Sequence, residues 1–253
     1  MRSGALTRGL TVLLLALVAQ AAQAQEKSGI REGFALAQKN AKILLIRPSI
    51  TVGAQSTGGM FEPNADWTTQ ARENIGAALA VAQARLGNDV IVAQEPIGPA
   101  AAVLAEYRAL FAVVADSVIR YQFFPGNRLP TKKRKGVFDW TMGPGVAEIG
   151  KGTGADYALF LVTENQYGST GRKMLQLFAA MAYVSVKSGD HKGFAGLVDL
   201  KTGDLLWLNA DLQMGGDVRT PDGAGKRVAQ LLEDFPGSSV PPLPARPPTP
   251  AAR

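Results

Sequence analysis

The segment Thr163–Lys173, TENQYGSTGRK, holds the densest set of side chains able to do chemistry. Glu164, Asn165 and Tyr167 offer hydrogen-bond donors and acceptors, and Arg172 and Lys173 add positive charge nearby. That mixture suits an anionic or glycan-like ligand, or a hydrolase. It directly follows the strong apolar run Asp156–Val162, and open α/β sheets place their ligands in loops beyond the carboxyl ends of strands. A plain polar loop with a glycine turn is the alternative. A second group is purely cationic: Arg128 with Lys132, Lys133, Arg134 and Lys135. Such a run serves as a solvated loop or as a contact for an anionic envelope surface, the first being the commoner use.

Other motifs lose on inspection. Gly145–Gly152, GVAEIGKG, comes within one residue of a phosphate-binding P-loop, but Gly152 stands where the magnesium-holding hydroxyl belongs. The stretch also leads into a strand instead of following one. His191 is the one histidine, and no Gly-x-Ser-x-Gly elbow accompanies it. Its neighbours Ser188, Gly189, Asp190 and Lys192 suggest an exposed linker. Asp199, Asp204, Asp211, Asp217 and Asp222 lack the alternate spacing and final glutamate of a calcium loop. They fit turn ends, a strand end and a first helical turn. Asp217 and Arg219 are placed to pair or to shape the loop before the last helix. No metal or cofactor is expected.

Bulk properties narrow the classes. Arg2, Arg8, the apolar run Thr11–Ala19 and Ala22-Gln23-Ala24 form the pattern of a secretory signal peptide cleaved after Ala24. The run is too short for a membrane span, so the mature chain is expected to be periplasmic or secreted, without a transmembrane segment. The 253 residues include no cysteine, which excludes disulfides, thiolate metal sites and a lipidated N-terminus. The net charge of +6 is mostly peripheral, because four arginines belong to the signal peptide and the tail. Residues 25–235 are close to neutral, and nucleic acid is not an expected partner.

The elements that must position these residues follow from periodicity. Lys42–Val52 reads as a buried strand that Pro48 ends or bulges, followed by a loop to Asn64. Trp67, Ala71, Ile75, Leu79, Ala82 and Leu86 mark a helix stopped at Gly87. Asp89–Ala93 is a second buried strand, and Pro99 opens a helix with a face from Val103 to Tyr121. A long basic loop runs to Trp140, Met142–Ile149 suits a short helix, and Asp156–Val162 is the third buried strand. Arg172–Val184 reads as helix in preference to strand. Phe194–Leu200 and Leu205–Asn209 form a hairpin around Gly203, and Thr220-Pro221-Asp222 starts a final helix. Pro236–Arg253 is a proline-rich tail. The hairpin resembles a propeller blade, but its Asp-x-x-Thr-Gly motif occurs once and helices flank it.

The order βαβαβαββα predicts one α/β domain, residues 25–235, a two-layer or three-layer sandwich on a mixed sheet. The blocks GADYALFLV, GLVDLKTGDLLWLN and GDVRTPDGA resemble the α/β domain of bacterial envelope accessory proteins. Members include the curli-secretion lipoprotein, the penicillin-binding-protein activator lipoprotein and the amino-terminal domain of TolB. The resemblance implies an adaptor acting through protein contacts in the cell envelope, carries over no catalytic residue, and departs from the lipoprotein members in lacking their cysteine. A periplasmic small-molecule or glycan-binding protein, or a hydrolase using Glu164–Lys173, is the second expectation.

Overall fold

The computed structural model describes residues 26–36, 41–84, 86, 88–123 and 136–238. The signal-peptide pattern, the basic group Arg128 and Lys132–Lys135, Gly87, and residues 239–253 of the tail lie outside them. Among the described residues, nine strands build one mixed sheet. Its main path runs β1 (Glu26–Ile30), β9 (Asp204–Asp211), β8 (Asp190–Asp199), β7 (Tyr157–Gly168), β2 (Lys42–Leu45), β5 (Asp89–Val92). β3 (Ser49–Gln55) continues the line of β2 along β7, so one long strand faces two shorter ones. Pro48 lies in the break, as its missing amide hydrogen and fixed φ require. β4 (Phe61–Pro63) pairs with β3, and β6 (Trp140–Thr141) with β9.

Strand alternation sends neighbouring side chains to opposite faces, and each face has its own helical layer. Ile43, Leu45, Leu159 and Leu161 pack under α1 (Ala65–Gln83) and α4 (Pro221–Leu231). Leu44, Ile46, Phe160 and Val162 pack under α2 (Pro99–Val118), where Phe111 stacks on Phe160 at 4.8 Å between centroids. The result is a three-layer sandwich. The last turn of α2 widens into π geometry over Ile119–Phe123, and a 3-10 helix spans Pro144–Gly150. α3 (Thr170–Met181) follows β7 directly. No helix among the described residues is long and apolar enough to cross a membrane.

Local signals behave as their chemistry demands. Asn64 and Thr220 cap α1 and α4, accepting from the amides of Trp67 and Gly223. In the β8–β9 turn, Asp199 Oδ1 accepts from the Lys201 and Thr202 amides at 2.7 and 2.9 Å. Gly203 takes φ +81, and a Cβ there would meet the Gly143 carbonyl at 2.0 Å, so only glycine fits.

Four expectations need correction. The loop before Asn64 contains β4. Asp89–Val92 is an outer strand and only partly covered, Val92 being 59% exposed. Thr163–Lys173 is not a loop: β7 runs on to Gly168, held between β3 and β8, and α3 begins two residues later. His191 lies within β8, not in a linker.

Candidate functional site

Because Thr163–Gly168 is strand, its polar side chains are dealt to two faces. Glu164 lies on the α2 face and pairs with Lys192 of β8 at 2.9 Å. Asn165 is fully buried on the α1–α4 face, donating to Thr163 Oγ1 at 3.2 Å, with its own Oδ1 lacking a partner. Tyr167 is on that same face, farther along. Arg172 ties down the start of α3: its side chain donates to the carbonyls of Lys187 (3.0 Å) and Thr57 (3.2 Å). Lys173 is exposed. The five residues therefore do not converge on a single cavity.

Tyr167 instead joins residues that spacing could not have grouped. Trp67 of α1 meets it edge to face at 6.0 Å, and the Arg219 guanidinium lies 3.7 Å over its ring and 4.6 Å from the Trp67 ring. Arg219 also forks onto Asp217, at 2.9 Å to Oδ1 and 2.7 Å to Oδ2. The Tyr167 hydroxyl accepts from the Val218 amide at 3.1 Å and lies near the Asp217 carboxylate. His191 also lies against the tyrosine, ring centroids 4.7 Å apart.

The electrostatics of this cluster disfavour proton transfer at neutral pH. Arg219 holds the Asp217 carboxyl well below the usual range, the tyrosine hydroxyl adding to the effect. Burial, with the Asp217 contact, pushes Tyr167 up to about 12. Burial, followed by the charge of Arg227, pushes His191 down. At neutral pH each group is held in one protonation state; the polar atoms of Asp217 and Arg219 are engaged with each other, and the buried His191 Nδ1 has no hydrogen-bond partner among the described residues. The cluster works as a clamp that fastens the loop before α4 to the sheet, which is the structural role expected of Asp217 and Arg219.

The unusual surface begins where β7 ends. Ser169 caps α3, accepting from the Arg172 amide at 3.2 Å. Met174, Leu177, Phe178 and Met181 follow at the i, i+3, i+4, i+7 spacing of an amphipathic helix that faces a core. Yet no residue of α3 is buried, and Phe178 and Met181 are 59% and 64% exposed. Arg172 and Ala179, seven apart, are the helix's partly covered positions and mark the side facing the body. At 100° per residue the apolar stripe points the opposite way. The helix ends with Val184 N–H bonding to Ala179 and Tyr183 N–H to Ala180. This closure puts Tyr183 at φ +59, where glycine is usual, with its ring 93% exposed.

No family model and no curated protein matches the chain. Among solved structures it is similar to the PelC dodecamer from Paraburkholderia phytofirmans, at 13% identity and TM-score 0.35, over 82% of this chain and 96% of that one. A variant of that dodecamer in another crystal form gives 13% and 0.37, over 82% and 95%. The LpoB C-terminal domain from Salmonella enterica gives 15% and 0.25, over 79% and 94%. At such identities and scores no functional argument rests on them.

Proposed function

We propose that the protein is an exported, non-enzymatic accessory protein of the cell envelope that acts through protein contacts made by α3. The observation that carries this reading is the apolar stripe of Met174, Leu177, Phe178 and Met181, turned away from the body that should bury it. Stripes of this kind are the anchors of helix-in-groove recognition. Two features extend the surface. Tyr183 holds a strained left-handed backbone that presents an aromatic ring beside Met181, and Val184 next to it is 55% exposed. Export is supported by the N-terminal sequence pattern of charge, apolar run and small-x-small cleavage site. The division of Glu164, Asn165, Tyr167, Arg172 and Lys173 between two faces and a helix start favours this reading over a ligand-binding or hydrolytic site there.

The test compares the mature chain with its L177E/F178E variant in the periplasm, using in-cell cross-linking and mass spectrometry. Both positions are exposed, so the variant should melt within about 0.5 kcal/mol of the original. A defined partner captured by the original and lost from the variant supports the reading. Identical capture by both proteins rejects α3 as the contact surface.

A further inference from the structure

A second feature lies on the far side of β7, where the sheet changes partners. β2 and β5 run parallel and end together, at Leu45 and Val92. Beyond β2 the chain passes through β3 and β4 to α1 on one face, and beyond β5 it enters α2 on the other. Adjacent parallel strands whose onward connections leave to opposite faces define a switch point, and α/β sheets open a ligand crevice there. This chain has such a crevice, of about 340 Å³, with polar walls.

Its walls bring together residues scattered through the sequence. Arg47 and Ser49 come from the break between β2 and β3, Arg72 from α1, Glu95 from the segment after β5, and Arg108 from α2. Arg108 forks onto Glu95 at 2.5 and 3.2 Å, which leaves the buried Arg108 Nε without a partner. The nearby charge of Arg47 adds to that of Arg108 in holding Glu95 ionised. Neither Arg47 nor Arg72 makes an ion pair among the described residues. Three guanidiniums against one carboxylate leave the crevice with two uncompensated positive charges.

The backbone adds to this. Within a strand, the N–H and C=O of residues i and i+2 point the same way. Those of Val52 turn away from β7, its amide donating to Thr68 Oγ1 and its carbonyl accepting from the Asn64 amide. Ile50, two residues earlier, therefore directs its N–H and C=O to the same side, into the part of the edge that β4 does not reach. A donor from the strand, donors from a helix on each face, and a net double positive charge match one chemistry. Phosphate carries nearly two charges near neutrality, and guanidinium groups suit its oxygens geometrically. We infer that this switch-point crevice binds a phosphate-type dianion, free or as a terminal phosphomonoester, held by Arg47, Arg72 and Arg108. It is independent of α3.

Calorimetric titration of the mature protein with inorganic phosphate and with glycerol 3-phosphate, at constant ionic strength, measures the site directly. Co-sedimentation with phosphatidylcholine vesicles, with and without phosphatidic acid, asks whether a lipid headgroup supplies the phosphate. R47Q/R72Q removes the two unpaired guanidiniums, and K201Q/K226Q removes the same charge from exposed positions elsewhere. Melting curves confirm that both variants fold. One-to-one binding to either source, weakened at least tenfold in R47Q/R72Q and preserved in K201Q/K226Q, supports the assignment and names the source. Binding to neither, or equal loss in both variants, overturns it.

Discussion

Helices α3 and α4 present the same pattern to opposite fates. α4 places Ala224, Arg227, Val228 and Leu231 on its inner face, and α3 places Met174, Leu177, Phe178 and Met181 at the same spacing. The α3 stripe is the more apolar of the two, yet every α4 position is buried and no α3 position is. The difference is in the connections. α4 is drawn onto the sheet by the clamp at Asp217 and Arg219 and by Arg227, which donates to Thr163 Oγ1 at 2.9 Å and to the carbonyls of Gly215 and Gly216 at 3.1 Å. Among the described residues, the side-chain hydrogen bonds that fix α3 are those of Ser169 and Arg172 at its first turn. Amphipathicity thus states that a face needs covering, while tertiary polar contacts decide whether the same chain covers it.

The sharpest way to break the comparison is to remove the α4 anchor. R227M leaves three buried or half-buried acceptors without their charged donor and should cost roughly 3–5 kcal/mol in denaturant unfolding. F178E, one residue beyond the α3 position that matches Arg227, places a charge in open solvent and should change stability by less than about 0.5 kcal/mol. Comparable losses from the two would show that α3 belongs to the cooperative core.

A smaller effect separates the helices by their caps. Thr220→Ala removes an acceptor for the Gly223 amide and should lower global stability by about 1 kcal/mol. Ser169→Ala removes the equivalent bond to the Arg172 amide. There the loss should register as faster hydrogen exchange along α3, with the melting temperature nearly unchanged, because that helix opens locally. A global drop from S169A equal to that from T220A would contradict the picture of a helix held at one end.

How much of this could be read beforehand depended on range. The β8–β9 turn, the Thr220 cap, the Pro99 helix start and the break at Pro48 are local signals, and each stands where its residues implied. β1, with the sequence EKSGI, has no apolar run and is a strand because β9 offers it an edge. The polar end of β7 is strand for the same reason: pairing on both sides extends the ladder past the hydrophobic run. The rule that ligands collect at carboxyl ends of strands pointed to Thr163–Lys173 because strands can be located from periodicity while their order in the sheet cannot. Sheet order moves the switch point to β2 and β5, and the arginines there come from three separate elements. The exposed stripe of α3 was invisible as such, since composition cannot distinguish a face turned inward from one turned outward.

The finest comparison uses pH, because His191 lies between the two regions. Tyr167 and Asp217 face it from the clamp, Arg227 from α4, Asp190 from the start of β8 and Lys187 from the segment that follows α3. Its pKa is depressed below 6.5 by burial first and by Arg227 second, the two acids acting in opposition. The unfolded chain therefore binds the proton more readily, so this contribution to stability is complete above pH 6.5 and fades as the pH falls. Asp217 titrates far lower and Tyr167 far higher, which leaves the interval from pH 7 to 5 to the histidine among the clamp groups. With allowance for its partial exposure, the slope should be roughly a few tenths of a kcal/mol per pH unit and should flatten in H191Q. Protonation puts a cation beside Arg227, so acid should loosen the α4 anchor while the amide protection factors in α3 stay constant. An unchanged slope in H191Q would place the acid sensitivity elsewhere and detach it from the contrast between the two helices.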